Sequence, residues 1–187
     1  MILRRLIVAF VGLLGISLFV WGNWIQMKSI VAGVWLDRAW EQSLNQSAPQ
    51  ELWSTMDART FAELSLDRLN VKEVVLDRAT GQALAFAPAF LEDSYLPGQG
   101  MTAIAAHKNT HFAFLEHAVP GDVIELQNVA GDIYTYKVEQ GFVLDTRVQD
   151  LSISGNKDGL LLITCYPFDS LSFNGPMRYI VRAETIN

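Results

Sequence analysis

A single cysteine, Cys165, is all the thiol chemistry that this 187-residue sequence holds. No intramolecular disulfide can form, and no thiolate cluster is available to hold a metal. Histidine is nearly as scarce, with His107, His111 and His117 the whole supply. Charge is thin and mixed: the formal net charge is −6, and no long run of either sign occurs. Binding nucleic acid requires a basic stripe that neutralises phosphates, so that function class is excluded. Internal repeats and low-complexity tracts are also missing. What the chain has in abundance is apolar sequence, at half of its residues, with a positive mean hydropathy. Its length suits one globular domain plus an accessory segment. An apolar share this high is expected to place some of the chain in lipid rather than in a core.

The accessory segment is read at the amino terminus. Arg4 and Arg5 precede an apolar run over residues 6–22, broken only by Ser17. Extended to Ile25, the run would span roughly 30 Å as a helix, enough for the hydrocarbon of a bilayer. Trp21 and Trp24 fall where such a helix would leave the hydrocarbon, and the arginine pair keeps the short end in the cytoplasm. A cleaved signal peptide would want an apolar region of about 7–15 residues and a small-x-small site. This run is longer and is followed by bulky residues, so an uncleaved single-pass anchor over residues 1–27 is favoured, with the rest of the chain on the extracytoplasmic side. Residues 28–60 read as a connector. Ile30, Val31, Val34, Trp35, Ala39 and Trp40 recur at helical spacing, and residues 45–50 form a polar, proline-containing break.

From residue 61 the pattern changes to short apolar or alternating segments separated by turn signals. Strands are expected over 61–69, 73–76, 101–106, 123–127, 133–138, 160–164 and 179–183, with turns at Thr80-Gly81, Pro120-Gly121-Asp122 and Ala130-Gly131-Asp132. Strands at this spacing suggest a closed barrel or a sandwich. Cys165 stands at the end of the nearly all-apolar run 159–164, and Pro167, which cannot donate to a ladder, marks the stop. A strand end faces the rim, where a substrate can reach it.

A thiol attacks as its thiolate and needs a nearby base or cation. His107 ends the strand-like run 101–106 and also falls on a rim, whereas His111 and His117 sit in an aromatic-rich stretch that suggests a short helical turn packed on the barrel. Acyl transfer develops negative charge on a carbonyl oxygen, which a positioned donor stabilises. Arg178, 13 residues after Cys165, begins the next strand. Arg182 lies on the same face, so periodicity does not choose between them; the position at the strand start favours Arg178.

The segments Ala105-Ala106-His107-Lys108-Asn109-Thr110-His111-Phe112, Leu161-Leu162-Ile163-Thr164-Cys165 and Met177-Arg178-Tyr179-Ile180-Val181 resemble the three signature segments of sortases. They are most similar to the proteobacterial class, in which Tyr-Pro-Phe-Asp follows the cysteine, here Tyr166 to Asp169. Lys108 stands where family members often carry arginine, Ala106 where they carry glycine, and Leu161 where they carry threonine. The resemblance covers roughly residues 60–187. It implies a mainly β fold: an eight-stranded sortase-type barrel with short helices over 61–187, preceded by a transmembrane helix. It implies Cys165 as nucleophile, His107 as general acid/base, Arg178 as oxyanion or backbone stabiliser, and Thr164 as a minor contributor to substrate binding.

The implied reaction cleaves a Thr–Gly-type bond in the C-terminal, LPXTG-like sorting signal of another exported protein. A thioacyl enzyme forms, and an amine acceptor then takes the acyl group; neither cofactor nor metal is required. Three other readings compete with this one. His107 and His111 form a His-x3-His pair that could ligate zinc if helical, but no third ligand stands out. The cysteine transpeptidases that cross-link peptidoglycan place a histidine shortly before the cysteine, and residues 155–164 contain none. A membrane-anchored β-barrel that only binds a partner would hold Cys165 as inert core.

Overall fold

The computed structural model describes residues 2–149, 157–170 and 175–186. The chain divides into two compact units, Met1–Trp35 and Leu36–Asn187. A single helix, α1 (Ile2–Gln46), contains the apolar run and extends through most of the expected connector. It stops where the polar break begins, and Ser47 takes a left-handed φ of 48°. Phe10, Val11, Leu13 and Leu18 of the run are exposed. Among the described residues no helix is long and apolar enough to cross a membrane. The expected spanning helix is therefore not found there, and most side chains of residues 6–25 lie outside the described set.

Eight strands close a barrel in the second unit: β1 (Thr60–Leu66), β2 (Val71–Leu76), β3 (Ala89–Phe90), β4 (Met101–Ala105), β5 (Val123–Asn128), β6 (Ile133–Asp145), β7 (Gly159–Cys165) and β8 (Met177–Thr185). Their order around the barrel is β1-β2-β3-β4-β7-β8-β6-β5. Two of the pairings, β2 with β3 and β4 with β7, are parallel. In β1 every second residue is buried, as expected of a strand with one face on a core. The expected strand 61–69 is shorter than its apolar content suggests. Asp67–Leu69 form a 3-10 turn, and Asn70 adopts φ 52°, a left-handed conformation that asparagine tolerates, to reverse the chain into β2.

Three further differences from the sequence reading have local causes. Thr80 does not make a simple turn; its hydroxyl accepts from the Ala83 N–H at 3.1 Å and caps a four-residue helix, α2 (Gly81–Leu84). β3 is only two residues long, too short to leave a pattern. β6 runs well past Val138 because an irregularity between Val138 and Gln140 absorbs the polar Glu139. Gly141 then lets the strand pass the Tyr179 ring: a Cβ there would stand 2.1 Å from the Tyr179 hydroxyl oxygen.

Two apolar layers follow from the alternation of side chains. Leu64, Ile104, Leu126, Leu160, Leu162 and Val181 fill the barrel interior. Met101, Ala103, Leu144, Leu161, Ile163 and Ile180 form a second cluster on the other face of β4, β7 and β8. A third cluster joins Leu36, Ala39 and Trp40 of α1 to Leu52, Met56, Ala58, Val74 and Leu76.

Candidate active site

The nearly continuous apolar character of β7 is explained by burial on both faces. Leu160 and Leu162 point into the barrel, and Leu161 and Ile163 into the outer cluster. Cys165 continues the outward-facing set at the point where the cover ends, and it is half-buried. The register with β8 runs Ile163↔Ile180, Thr164↔Tyr179, Cys165↔Arg178. Directly opposed residues of an antiparallel pair share a face, with Cβ atoms about 4.5–5.5 Å apart. Arg178 therefore stands beside Cys165. Its Nη1 donates to the carbonyls of Gly175 at 2.6 Å and Met177 at 2.9 Å, which holds the guanidinium at the strand start. Arg182 pairs instead with Leu161, well down the strand, and its Nε lies 3.1 Å from Glu139. The structure brings the first arginine, not the second, to the thiol.

The histidine arrives from β4. Parallel pairing of β4 with β7 matches Ala105 to Ile163, and the Ala106 N–H donates to the Ile163 carbonyl at 3.2 Å. Continued by two positions, this register brings His107 level with Cys165. His107 itself lies two residues past the end of β4 and is exposed. Cys165 and Arg178 thus share one face at one end of the sheet, and His107 follows the end of β4 at the same rim.

Thr164, expected as a minor contributor to substrate binding, lies one residue before the thiol on β7. It is only 2% exposed, and its hydroxyl donates to the Ala106 carbonyl at 2.8 Å. That bond ties the cysteine strand to the residue before His107.

Around these residues the local chain is well braced. The Phe112 N–H donates to the His107 carbonyl at 3.0 Å, closing a turn over 107–112. Phe112 and Leu115 are fully buried at the start of the 3-10 helix Ala113–His117. His111 Nδ1 lies 2.8 Å from Glu73 Oε2 on β2, so this histidine is paired away from His107. The turn is not helical, which removes the geometry a His-x3-His zinc pair needs. Among the described residues, no group of three His, Cys, Asp or Glu side chains could hold a metal. Beyond Cys165 the Tyr166–Pro167 bond is cis, and Tyr166, Phe168 and Tyr179 pack ring against ring, with centroids 5.3–6.3 Å apart.

One residue near the site is illegible in the sequence. Lys108, which reads as a solvated loop residue, is 3% exposed. Its ammonium donates to the carbonyls of Pro167 and, at 2.6 Å, Ser170. Only the fold of the loop after Cys165 creates that burial.

Comparison with known proteins gives the arrangement a context. The family model of the sortase domain matches residues 64–186. Sortase D of Bacillus subtilis (strain 168) is 25% identical over 125 residues, covering 66% of this chain and 62% of that protein. The chain thus matches less than two thirds of that relative's length. Sortase A from Corynebacterium diphtheriae superposes with a TM-score of 0.60 at 25% identity, over 71% of this chain and 63% of its own. A Clostridium perfringens sortase D5 transpeptidase gives 0.57 at 24%, over 68% and 79%. The pilus-related sortase C of Group B Streptococcus gives 0.59 at 24%, over 68% of each chain. The last two likenesses speak to the fold.

Proposed function

The chain belongs to the sortase family of cysteine transpeptidases, and from that premise we propose that it is a working transpeptidase with Cys165 as nucleophile, His107 as acid/base and Arg178 as charge stabiliser. The observation that carries this reading is the cross-strand pair Cys165↔Arg178 at the rim, supported by the parallel pairing of β4 with β7, which ends two residues before His107. In the first half-reaction the Cys165 thiol passes its proton to His107 and the sulfur bonds to the carbonyl carbon of a Thr–Gly-type peptide bond. The carbonyl electrons move onto oxygen, where the Arg178 guanidinium offers donors. As the intermediate collapses, the C–N bond breaks and His107 gives its proton to the departing amine. A thioester remains on Cys165. An acceptor amine, deprotonated by His107, then attacks the thioester and releases the thiol. Dividing one hard displacement into two is what covalent catalysis contributes, and ping-pong kinetics follow.

Within the family we assign the chain to the proteobacterial class, on the Tyr166-Pro167-Phe168-Asp169 sequence after the nucleophile. Its substrate is then an LPXTG-like sorting signal at the carboxyl end of another exported protein. The same proposal takes the apolar run of α1 as a single-pass anchor in the cytoplasmic membrane, with the catalytic domain on the periplasmic side. Arg4 and Arg5 before the run and the exposed Phe10, Leu13 and Leu18 within it support this reading. Resistance of the membrane-bound protein to alkaline extraction tests it; release into the supernatant would exclude a spanning anchor.

The chemical step is tested with the detergent-solubilised full chain, a library of sorting-signal peptides and an amine such as triglycine. Mass spectrometry is expected to find a thioacyl adduct on Cys165 and an amine-extended product, both lost in Cys165→Ala. Product formation that survives the substitution would refute the mechanism.

A further inference from the structure

Among the described residues only two charged side chains are buried, Asp122 and Lys108. Asp122 is paired with Arg68; no ion pair among the described residues involves Lys108. Lysine is rarely buried without a partner, because desolvating its ammonium is costly unless hydrogen bonds replace the water. Here two backbone carbonyls do so, those of Pro167 and Ser170. The Ser170 N–H also donates to the Pro167 carbonyl at 3.4 Å, so the ammonium sits against a closed turn.

The placement of the two ends is what matters. Lys108 follows His107 directly, and its acceptors lie two and five positions beyond Cys165. One side chain therefore bridges the segment that carries the histidine and the segment that carries the thiol. On the strand side the same two segments are already joined, by Thr164 to Ala106 at 2.8 Å and Ala106 to Ile163 at 3.2 Å. The cysteine and histidine positions are thus clamped before and after.

We propose that Lys108 is a positioning residue for the Cys165–His107 pair, holding the turn after the thiol onto the histidine loop. The inference rests on the reading of Cys165 and His107 as partners. It acts through their separation, and a displacement of about 1 Å in reacting groups can lower a rate by roughly 100-fold. A packing role would reside in the aliphatic stem alone. Methionine keeps most of that stem and loses the donors, whereas arginine keeps the donors and the charge.

The experiment measures carbamidomethylation of Cys165 by iodoacetamide across about pH 5–9, the titration range of imidazole and thiol, on the full chain in detergent. Wild type is compared with His107→Ala, Lys108→Met and Lys108→Arg, each with a thermal melt. Other charged groups around the pair are Arg178 across from the thiol, the His111–Glu73 pair on the histidine loop, and exposed Asp169 on the thiol loop; none is altered. Lys108→Met is expected to slow alkylation at neutral pH by about tenfold and to shift its pH profile toward that of His107→Ala, with Lys108→Arg restoring most of the rate. A Lys108→Met protein with the wild-type profile overturns the proposal, as does equal impairment in the methionine and arginine variants. If the methionine variant does not fold, Lys108→Leu, which also lacks the donors, supplies the comparison at a temperature below its melt, and an unchanged profile again overturns it. Alkylation unaffected by His107→Ala would instead refute the pairing of Cys165 with His107, a distinct outcome that removes the premise.

Discussion

At the scale of single residues, two arginines on one strand face separate cleanly once the register is known. Arg178 opposes Cys165, while Arg182 opposes Leu161 and pairs with Glu139 at the surface. An exposed ion pair contributes only about 0–1 kcal/mol, so Arg182→Ala should leave stability and turnover near wild type. On the proposed mechanism, in which Arg178 stabilises the oxyanion, Arg178→Ala should lower kcat by about 100- to 1,000-fold. Steady-state kinetics on a turned-over sorting peptide check both, and equal losses in the two variants would contradict the assignment. In the sequence, only the place of Arg178 at the strand start favours it over Arg182. Cys165 and His107 are conspicuous because each ends an apolar run, but four-residue spacing puts both arginines on the same face. Lys108 is invisible for a different reason. A lysine in Lys108-Asn109-Thr110 looks solvated, and its burial depends on a loop that returns from 59 residues later.

At the scale of elements, legibility follows how much of each element's environment is local. β7 can be read directly, because burial on both faces leaves an unbroken apolar run. β3 cannot, since two residues carry no period, and the second half of β6 is hidden behind the polar Glu139-Gln140-Gly141, where a bulge continues the ladder. The loop leaving the 3-10 helix Ala113–His117 is another case of non-local bracing. Arg68, in the turn after β1, donates through Nε and Nη2 to the Asp122 carboxylate and through Nη2 to the His117 carbonyl. Asp122 also accepts the Val119 N–H at 2.9 Å. The Arg68 hydrogen bond, helped by that N–H and opposed by burial, holds the Asp122 carboxyl below its usual range. A carboxyl whose folded value is depressed stabilises the fold above its unfolded pKa of about 3.9, and that contribution is lost as pH falls through and below this region. Asp122→Asn should therefore cost about 1.5 kcal/mol at pH 7, the low end for charged hydrogen bonds because Arg68 is half-exposed. Urea unfolding should show the gap between variant and wild type closing below about pH 4. A gap that is constant with pH would mean the carboxylate charge plays no part.

At the scale of the whole molecule, the question is where the catalytic unit begins. The sequence pattern changes at residue 61, and residues 28–60 look like a tether. Yet the compact unit starts at Leu36. Leu36, Ala39 and Trp40 are at most 6% exposed, and they pack with Leu52, Met56 and Ala58 against Val74 and Leu76. Hydrogen bonds reinforce the seam, because Ser43 Oγ donates to the Ala39 carbonyl at 2.7 Å and bonds the Thr60 hydroxyl at the head of β1. Burying a large apolar side chain contributes about 1.5–3 kcal/mol. Loss of Leu36, Trp40, Leu52 and Met56 together would thus rival the whole stability of a typical domain, about 5–15 kcal/mol. A protein of residues 28–187 should melt cooperatively, and its Cys165 should react with iodoacetamide as in the full chain. One of residues 61–187 should be aggregated or unfolded at 25 °C, although it lacks only Thr60 of the eight strands and contains every residue of the candidate site. Trp40→Ala in the full chain provides the graded version, with an expected cost of about 3–5 kcal/mol and unchanged chemistry at Cys165 in the folded fraction. If 61–187 melted like 28–187, the helix end would be a tether after all. If Trp40→Ala altered the pH dependence of alkylation at constant fold, the seam would be coupled to the site rather than only supporting the barrel.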